Sequence, residues 1–234
     1  PKFRRQFLDW GAFHVELGFV NSWRALKKCL ANRNSLLKRD AKDSAEIKIW
    51  TEKFAAAAVD VDRARLAYFE GFRENFYSVY SDLDPGLAER LELSYSRGWP
   101  DQDHLLDVLS ASFEGDCRYG ATQNGPHRAD LLFRIGRDLA KETLSRGQQK
   151  ILVCALKIAQ GRCFSESVER ACLYLVDDLP NELDGDNRAK VLKKLMELKA
   201  QIVVTCVDSN DLPYSLAEGH KVSLFHMEHG TILS

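Results

Sequence analysis

An apolar run that ends in two carboxylates, Cys172-Leu173-Tyr174-Leu175-Val176-Asp177-Asp178, constrains this chain more than any other segment. It predicts a buried strand with its acids at the carboxyl end, where open α/β sheets bind their ligands. Two such carboxylates can hold Mg²⁺ through water and orient an attacking water. Upstream, Leu144-Ser145-Arg146-Gly147-Gln148-Gln149 predicts a helix start that offers a hydroxyl and free amides to a phosphate, with the helix dipole adding partial positive charge. Together the two segments read as half of an ATP site. The other half is missing, because no G-x-x-x-x-G-K-[ST] phosphate loop occurs in the 234 residues. Poor nucleotide binding by the chain alone is therefore expected. The chain opens at Pro1 without Met, and Lys2 to Trp10 already look like the middle of a structured element. A C-terminal fragment is expected, with its phosphate loop upstream.

With 45% hydrophobic residues the chain can bury a core of one or two domains. The six cysteines show no C-x-x-C spacing, and most lie in apolar patterns, so buried free thiols in a reducing cytosol are expected. No apolar run approaches the ~18 residues of a membrane span. The net charge of −1 is unevenly spread: positions 1–40 hold nine Lys/Arg against three acids, a local net of +6. Such a stretch could track a phosphate backbone, and equally could be a solvated helix face.

Two patterns share the chain. From Asn21 to Tyr80 the period is helical. Trp23, Leu26, Leu30, Arg33 and Leu37 form one seam; Ile47, Trp50, Phe54, Ala57, Val61, Ala64 and Tyr68 form a second, continued by Phe72, Phe76 and Val79. The short polar run Arg39–Ser44 between them suits an antiparallel hairpin, a protruding arm with a narrow seam. Arg33 stands where leucine is expected, so it should pair with an acid or snorkel to solvent. The helix must stop near Asp84-Pro85-Gly86; Leu91–Tyr95 alternates like a strand, and a helix is expected over Asp103–Phe113. Beyond Tyr119 helices and strands alternate. Strands are expected at Ala129–Ile135, Cys172–Val176 and Gln201–Cys206, helices at Gln148–Gln160 and Asn187–Lys199, and a closing hairpin from Val222–Met227 and Gly230–Leu233. That alternation implies a largely parallel sheet covered by helices.

Each chemical reading has a plainer rival. Ser145-Arg146-Gly147-Gln148 could be a simple helix cap, and Asp177 to Asp184 an acidic turn before a helix, with Asp184 and Asp186 favouring its N-terminus. His127, in Gly120–Leu131, is by itself more often structural than catalytic.

The serine loop, placed before a strand with paired acids, looks like the signature loop of an ABC-type ATPase, and Asp177-Asp178 resembles the Walker B pair. Leu179-Pro180-Asn181-Glu182-Leu183-Asp184 matches the spacing of that family's D-loop. The resemblance implies that Ser145, Arg146, Gly147, Gln148 and Asp184 contact nucleotide held by an opposite subunit. It also implies that Asp177 holds Mg²⁺, and that Asp178 takes the place of the usual catalytic glutamate. An aspartate is one methylene shorter, so slow hydrolysis is expected. Where the family usually has a γ-phosphate-sensing histidine this chain has Cys206, a poor donor, so either Thr205 substitutes or the sensing bond is absent.

Gly125-Pro126-His127-Arg128-Ala129-Asp130-Leu131, together with the opening residues 4–15, Asn32-Arg33-Asn34, Leu36-Leu37, residues 144–150 and Phe225-His226-Met227-Glu228, closely resembles the RecF family of DNA replication and repair proteins. The likeness runs over essentially the whole chain. It implies an α/β fold: the C-terminal half of an ABC-type P-loop ATPase head plus an antiparallel helical arm. The arm would be residues 1–119, with a short strand near 91–95, and the head part 120–234. It further implies a cytoplasmic, weak ATPase that dimerises on ATP, binds DNA, and with RecR and RecO helps load RecA at gaps and stalled forks; the fragment alone would be inactive. Arg24, Lys27 and Lys28 are the candidates for touching DNA. Two alternatives stay open: a partner-docking module without ATPase activity of its own, and another ABC-type ATPase of DNA maintenance.

Overall fold

The structure, a computed structural model, describes residues 1–39, 45–198, 200–208 and 221–233. Packing divides the chain into two units, Pro1–Cys172 and Leu173–Ser234. In the first unit come α1 (Lys2–Val15), α2 (Phe19–Lys38), α3 (Ala45–Leu83), α4 (Pro85–Ala88), β1 (Leu91–Ser96), α5 (Leu105–Ala111), α6 (Phe113–Tyr119), a 3-10 turn at Pro126–Arg128, β2 (Asp130–Ile135), β3 (Asp138–Leu139), α7 (Ala140–Thr143) and α8 (Arg146–Val168). The second unit holds β4 (Leu173–Val176), α9 (Leu179–Glu182), α10 (Gly185–Glu197), β5 (Gln201–Val204), β6 (His226–Glu228) and β7 (Thr231–Leu233).

The 39-residue α3 is the spine of the first unit. Its buried Tyr68, Phe72, Phe76 and Tyr80 recur every fourth residue, and their rings stack at centroid spacings of 5.8, 6.2 and 5.3 Å. Each such aromatic taken from water stabilises the fold by about 1.5–3 kcal/mol. The buried face is wider than the expected narrow seam, because α1, α5 and α8 as well as α2 pack on this helix. Gly11 brings α1 against it: a Cβ at that position would lie 1.9 Å from the Tyr68 ring. Buried Gln160 of α8 ties the same corner by donating to the Phe7 carbonyl at 2.8 Å. Pro85 ends the spine as expected, with Asp84 capping α4 through the Leu87 N–H at 3.1 Å.

Arg33 does pair with an acid. Its guanidinium meets Asp116 of α6 at 2.8 Å, both side chains being wholly excluded from solvent. It also donates to Thr122 at 2.6 Å and Thr51 at 3.0 Å. Asn34 Oδ1 accepts from the Thr122 N–H and hydroxyl, and Asp116 Oδ1 from the Gln123 N–H. The polar cluster therefore pins α2 to α3, α6 and the turn after α6.

Three expectations need correction. The strand over Ala129–Ile135 forms at Asp130–Ile135, but it pairs antiparallel with β1 and β3, so the sheet after Tyr119 is not largely parallel; among the described strands only β4 and β5 pair that way. The run ending in Asp177 forms β4 over Leu173–Val176, yet it is not buried: Leu173 and Leu175 are 56% and 74% exposed and Val203 of β5 is 45% exposed. One face of that two-stranded sheet meets solvent, and period-2 alternation is what remains of the apolar run. The helix expected over Asp103–Phe113 breaks at Ser112 into α5 and α6. In the Arg39–Ser44 connector residues 40–44 lie outside the described residues, as does Lys199. All six cysteines are free thiols. Among the described residues no helix is long and apolar enough to cross a membrane.

Candidate functional site

Ser145 is the N-cap of α8. Its Oγ accepts from the Gln148 N–H at 3.3 Å, while Gln148 Oε1 accepts from the Ser145 N–H at 2.9 Å, a reciprocal capping box. The plain cap reading is thus met, and it leaves the functional one standing, since a hydroxyl that accepts a cap bond keeps its proton to donate. Ser145, Arg146 and Gly147 are exposed and Gln148 is half-buried. A Cβ at Gly147 would meet nothing within 4 Å, so the helix start is open to an approaching group. Buried Ile151, Leu152, Ala155, Ile158 and Ala159 anchor the rest of the helix in the first unit.

In the second unit, β4 and β5 run parallel in register up to Val176 beside Val204, and the ladder is extended by the Thr205 N–H bond to the Val176 carbonyl at 3.0 Å. The next residues carry the acids. Thr205 donates its hydroxyl to Asp177 Oδ1 at 2.6 Å and accepts from the Asp178 backbone N–H at 2.9 Å. Asp178 turns the chain in the left-handed region at φ 49°, ψ 42° and leads into α9. Asp177 is exposed and Asp178 half-buried. Asp184 caps α10, its two oxygens accepting from the Asn187 backbone N–H at 3.0 Å and side-chain amide at 2.7 Å. The backbone bond first, then the amide, holds the Asp184 carboxyl below its ordinary range. So Asp184 stands where the plainer reading put it, at a helix N-terminus.

Among the described residues no group of three or more His, Cys, Asp or Glu side chains could hold a metal ion alone. The donor set at Asp177 and Asp178 nevertheless fits Mg²⁺, which takes one or two carboxylates and completes its shell with water and substrate phosphate. No local pattern announces the link from Thr205 to both acids; the only signal for it is that two parallel strands in register bring their following residues side by side.

Of the nine cations in positions 1–40, three serve the fold: Arg4 pairs with Asp130 at 2.6 Å, Arg5 donates to the Ala129 carbonyl at 2.9 Å, and Arg33 is buried. Arg24, Lys27 and Lys28 stay exposed on α2, a helix without Asp or Glu; Lys27 lies 4.2 Å over the Trp23 ring. His127 is structural: its Nε2 lies 2.8 Å from the Thr122 carbonyl, which can only accept, so Nε2 carries the proton. Burial, the largest influence, lowers its pKa and keeps it neutral.

The chain belongs to the RecF/RecN/SMC N-terminal-domain family, whose model matches residues 27–232, and its fold is the ABC-ATPase-like fold of that family. The DNA replication and repair protein RecF of Stutzerimonas stutzeri (strain A1501) is 46% identical over 99% of this chain and 62% of its own length. RecF of Pseudomonas syringae pv. tomato is 44% identical over 99% of the chain and 63% of its own. The chain thus spans less than two thirds of these relatives. Two solved structures of the recombination mediator protein RecF in the RecFOR pathway, with ATP and with ATPrS, superpose with TM-scores of 0.76 and 0.78 at 23% identity. They cover 90% and 99% of this chain, and the chain covers 58% and 62% of them; at that identity the likeness is one of fold.

Proposed function

We propose that the chain is the lever (1–119) and C-terminal head part (120–234) of a cytoplasmic, RecF-type, ATP-dependent DNA-binding recombination mediator. In this reading it acts with RecR and RecO to help load RecA. The observation that carries the ATP-dependent part is the open start of α8, where Ser145, Arg146 and Gly147 are exposed on a helix anchored by its buried side. Ser145 and the free N–H groups there would bind the γ-phosphate of ATP cradled by a second copy, so that nucleotide joins two subunits. On its own side each copy would use Asp177 to hold hydrated Mg²⁺ and Asp178 to orient water. When bound, Mg²⁺ would neutralise charge developing on the phosphates. Asp184 of the D-loop would approach the same nucleotide. Kinship with RecF proteins supports the reading, as does the donor set at the end of β4.

The test is the association state of the full-length protein. Light scattering should find a monomer without nucleotide and a dimer with ATP and Mg²⁺. A dimer indifferent to ATP would favour a partner-docking module instead.

The DNA part rests on α2. Changing Arg24, Lys27 and Lys28 together to Gln should weaken duplex binding for all sequences alike. The salt slope should fall by on the order of one unit for each phosphate no longer neutralised. Titrations of full-length protein at several salt concentrations decide this, and unchanged slopes would remove these residues from the DNA surface.

A further inference from the structure

We propose that Thr205 is a positioning residue for the acid pair at the end of β4, acting on Asp177 and Asp178 rather than on nucleotide. The inference rests on the reading of Asp177 as the Mg²⁺ acid. A threonine hydroxyl has one proton and two lone pairs. Here the proton goes to Asp177 Oδ1 at 2.6 Å, the short distance of a charge-assisted bond, and one lone pair takes the Asp178 N–H at 2.9 Å. A phosphate oxygen accepts and cannot donate. Thr205 could therefore meet a γ-phosphate only by giving up Asp177, so it is not a replacement for a sensing histidine.

Geometry makes the brace specific. The parallel register sets residue 205 beside residue 177, and the Thr205 backbone bond to Val176 fixes the position whatever side chain is there. A hydroxyl supplies donor and acceptor on a single atom, which is what both bonds use here. By donating it selects the direction in which the Asp177 carboxylate points. By accepting it holds the Asp178 amide in a left-handed turn that a non-glycine residue rarely adopts. A side chain just past the end of the neighbouring strand thus orients the Asp177 carboxylate and holds the Asp178 backbone, as outer-shell partners orient metal ligands elsewhere.

The test uses full-length protein and a fluorescent ATP analogue, titrated with and without Mg²⁺. Outer-shell losses of this kind run to about tenfold or more. Thr205→Val should cut the Mg²⁺-dependent gain in nucleotide affinity by that factor and leave metal-free binding unchanged, while Thr205→Ser should stay within about twofold of the parent. Asp177→Asn should also lose the gain, and adding Thr205→Val to it should cost nothing more. Thr205→Ala repeats the measurement should the valine variant fold poorly. If Asp177→Asn loses the gain while both Thr205→Val and Thr205→Ala keep it, the brace is refuted and the acid reading stands. Equal losses for Ser and Val refute it as well, since serine keeps the hydroxyl and its presence would then not restore the gain. An Asp177→Asn variant that keeps the full gain removes the acid reading itself, and the proposal with it.

Discussion

Replacing Ser145 with arginine in the full-length protein will abolish the ATP-dependent dimer and leave ATP binding by the separate subunits intact. The serine lies at the exposed first turn of α8, and nothing crowds the neighbouring Gly147, so a long side chain there disturbs no packing in its own subunit. Losing the cap costs about 1 kcal/mol. A 23-residue helix held by Ile151, Leu152, Ala155 and Ile158 absorbs that. Across a dimer the same side chain fills the space that a phosphate and the opposing surface would occupy. Light scattering should show monomers at ATP concentrations that fully assemble the parent, with nucleotide affinity matched by titration calorimetry. A variant that dimerises as well as the parent would place the α8 start outside the interface.

Arg33→Ala will destabilise the first unit by about 3–5 kcal/mol, the range for breaking a fully buried ion pair. The Asp116 carboxylate would lose its guanidinium partner and keep the bond from the Gln123 N–H, and the Thr122 hydroxyl would lose the same partner. The pair's own worth is smaller than that loss, because desolvating both ions offsets much of their attraction. The double change Arg33→Met with Asp116→Leu should therefore recover most of the stability. All four tryptophans, Trp10, Trp23, Trp50 and Trp99, lie in the first unit, so urea unfolding followed by their fluorescence reads this unit by itself. A loss below about 1 kcal/mol for the single change would contradict the clamp.

The seam through Leu26 and Arg33 and the second through Phe54 were legible because local periodicity decides which side of a helix avoids water. The charged residue on the first seam announced an acid, but not which one. Asp116 is 83 positions away, and no local pattern reports an ion pair of that range. The same limit explains the sheet. Leu91–Tyr95 and Ala129–Ile135 each read as strands, yet their antiparallel pairing depends on how α5, α6 and the turn at Pro126 return the chain. The start of α8 and the acids of β4 were readable from spacing, since capping and strand ends are set within a few residues. The bonds of the Thr205 hydroxyl to Asp177 and the Asp178 amide were not, because they depend on the register of two strands separated by α9 and α10. Burial of β4 was inferred from apolar content alone, which cannot say whether one face or both are covered.

The near approach of Gly11 to Tyr68 makes those two positions a matched pair across the α1–α3 crossing. A methyl group can enter on one helix only where the opposite ring has given way to something smaller, or where the helices have moved apart and loosened the Arg65–Asp9 ion pair beside them, now 2.8 Å long. Sequence drift at this crossing is therefore confined to coordinated exchanges, and divergent members of the family should trade bulk between positions 11 and 68 rather than add it.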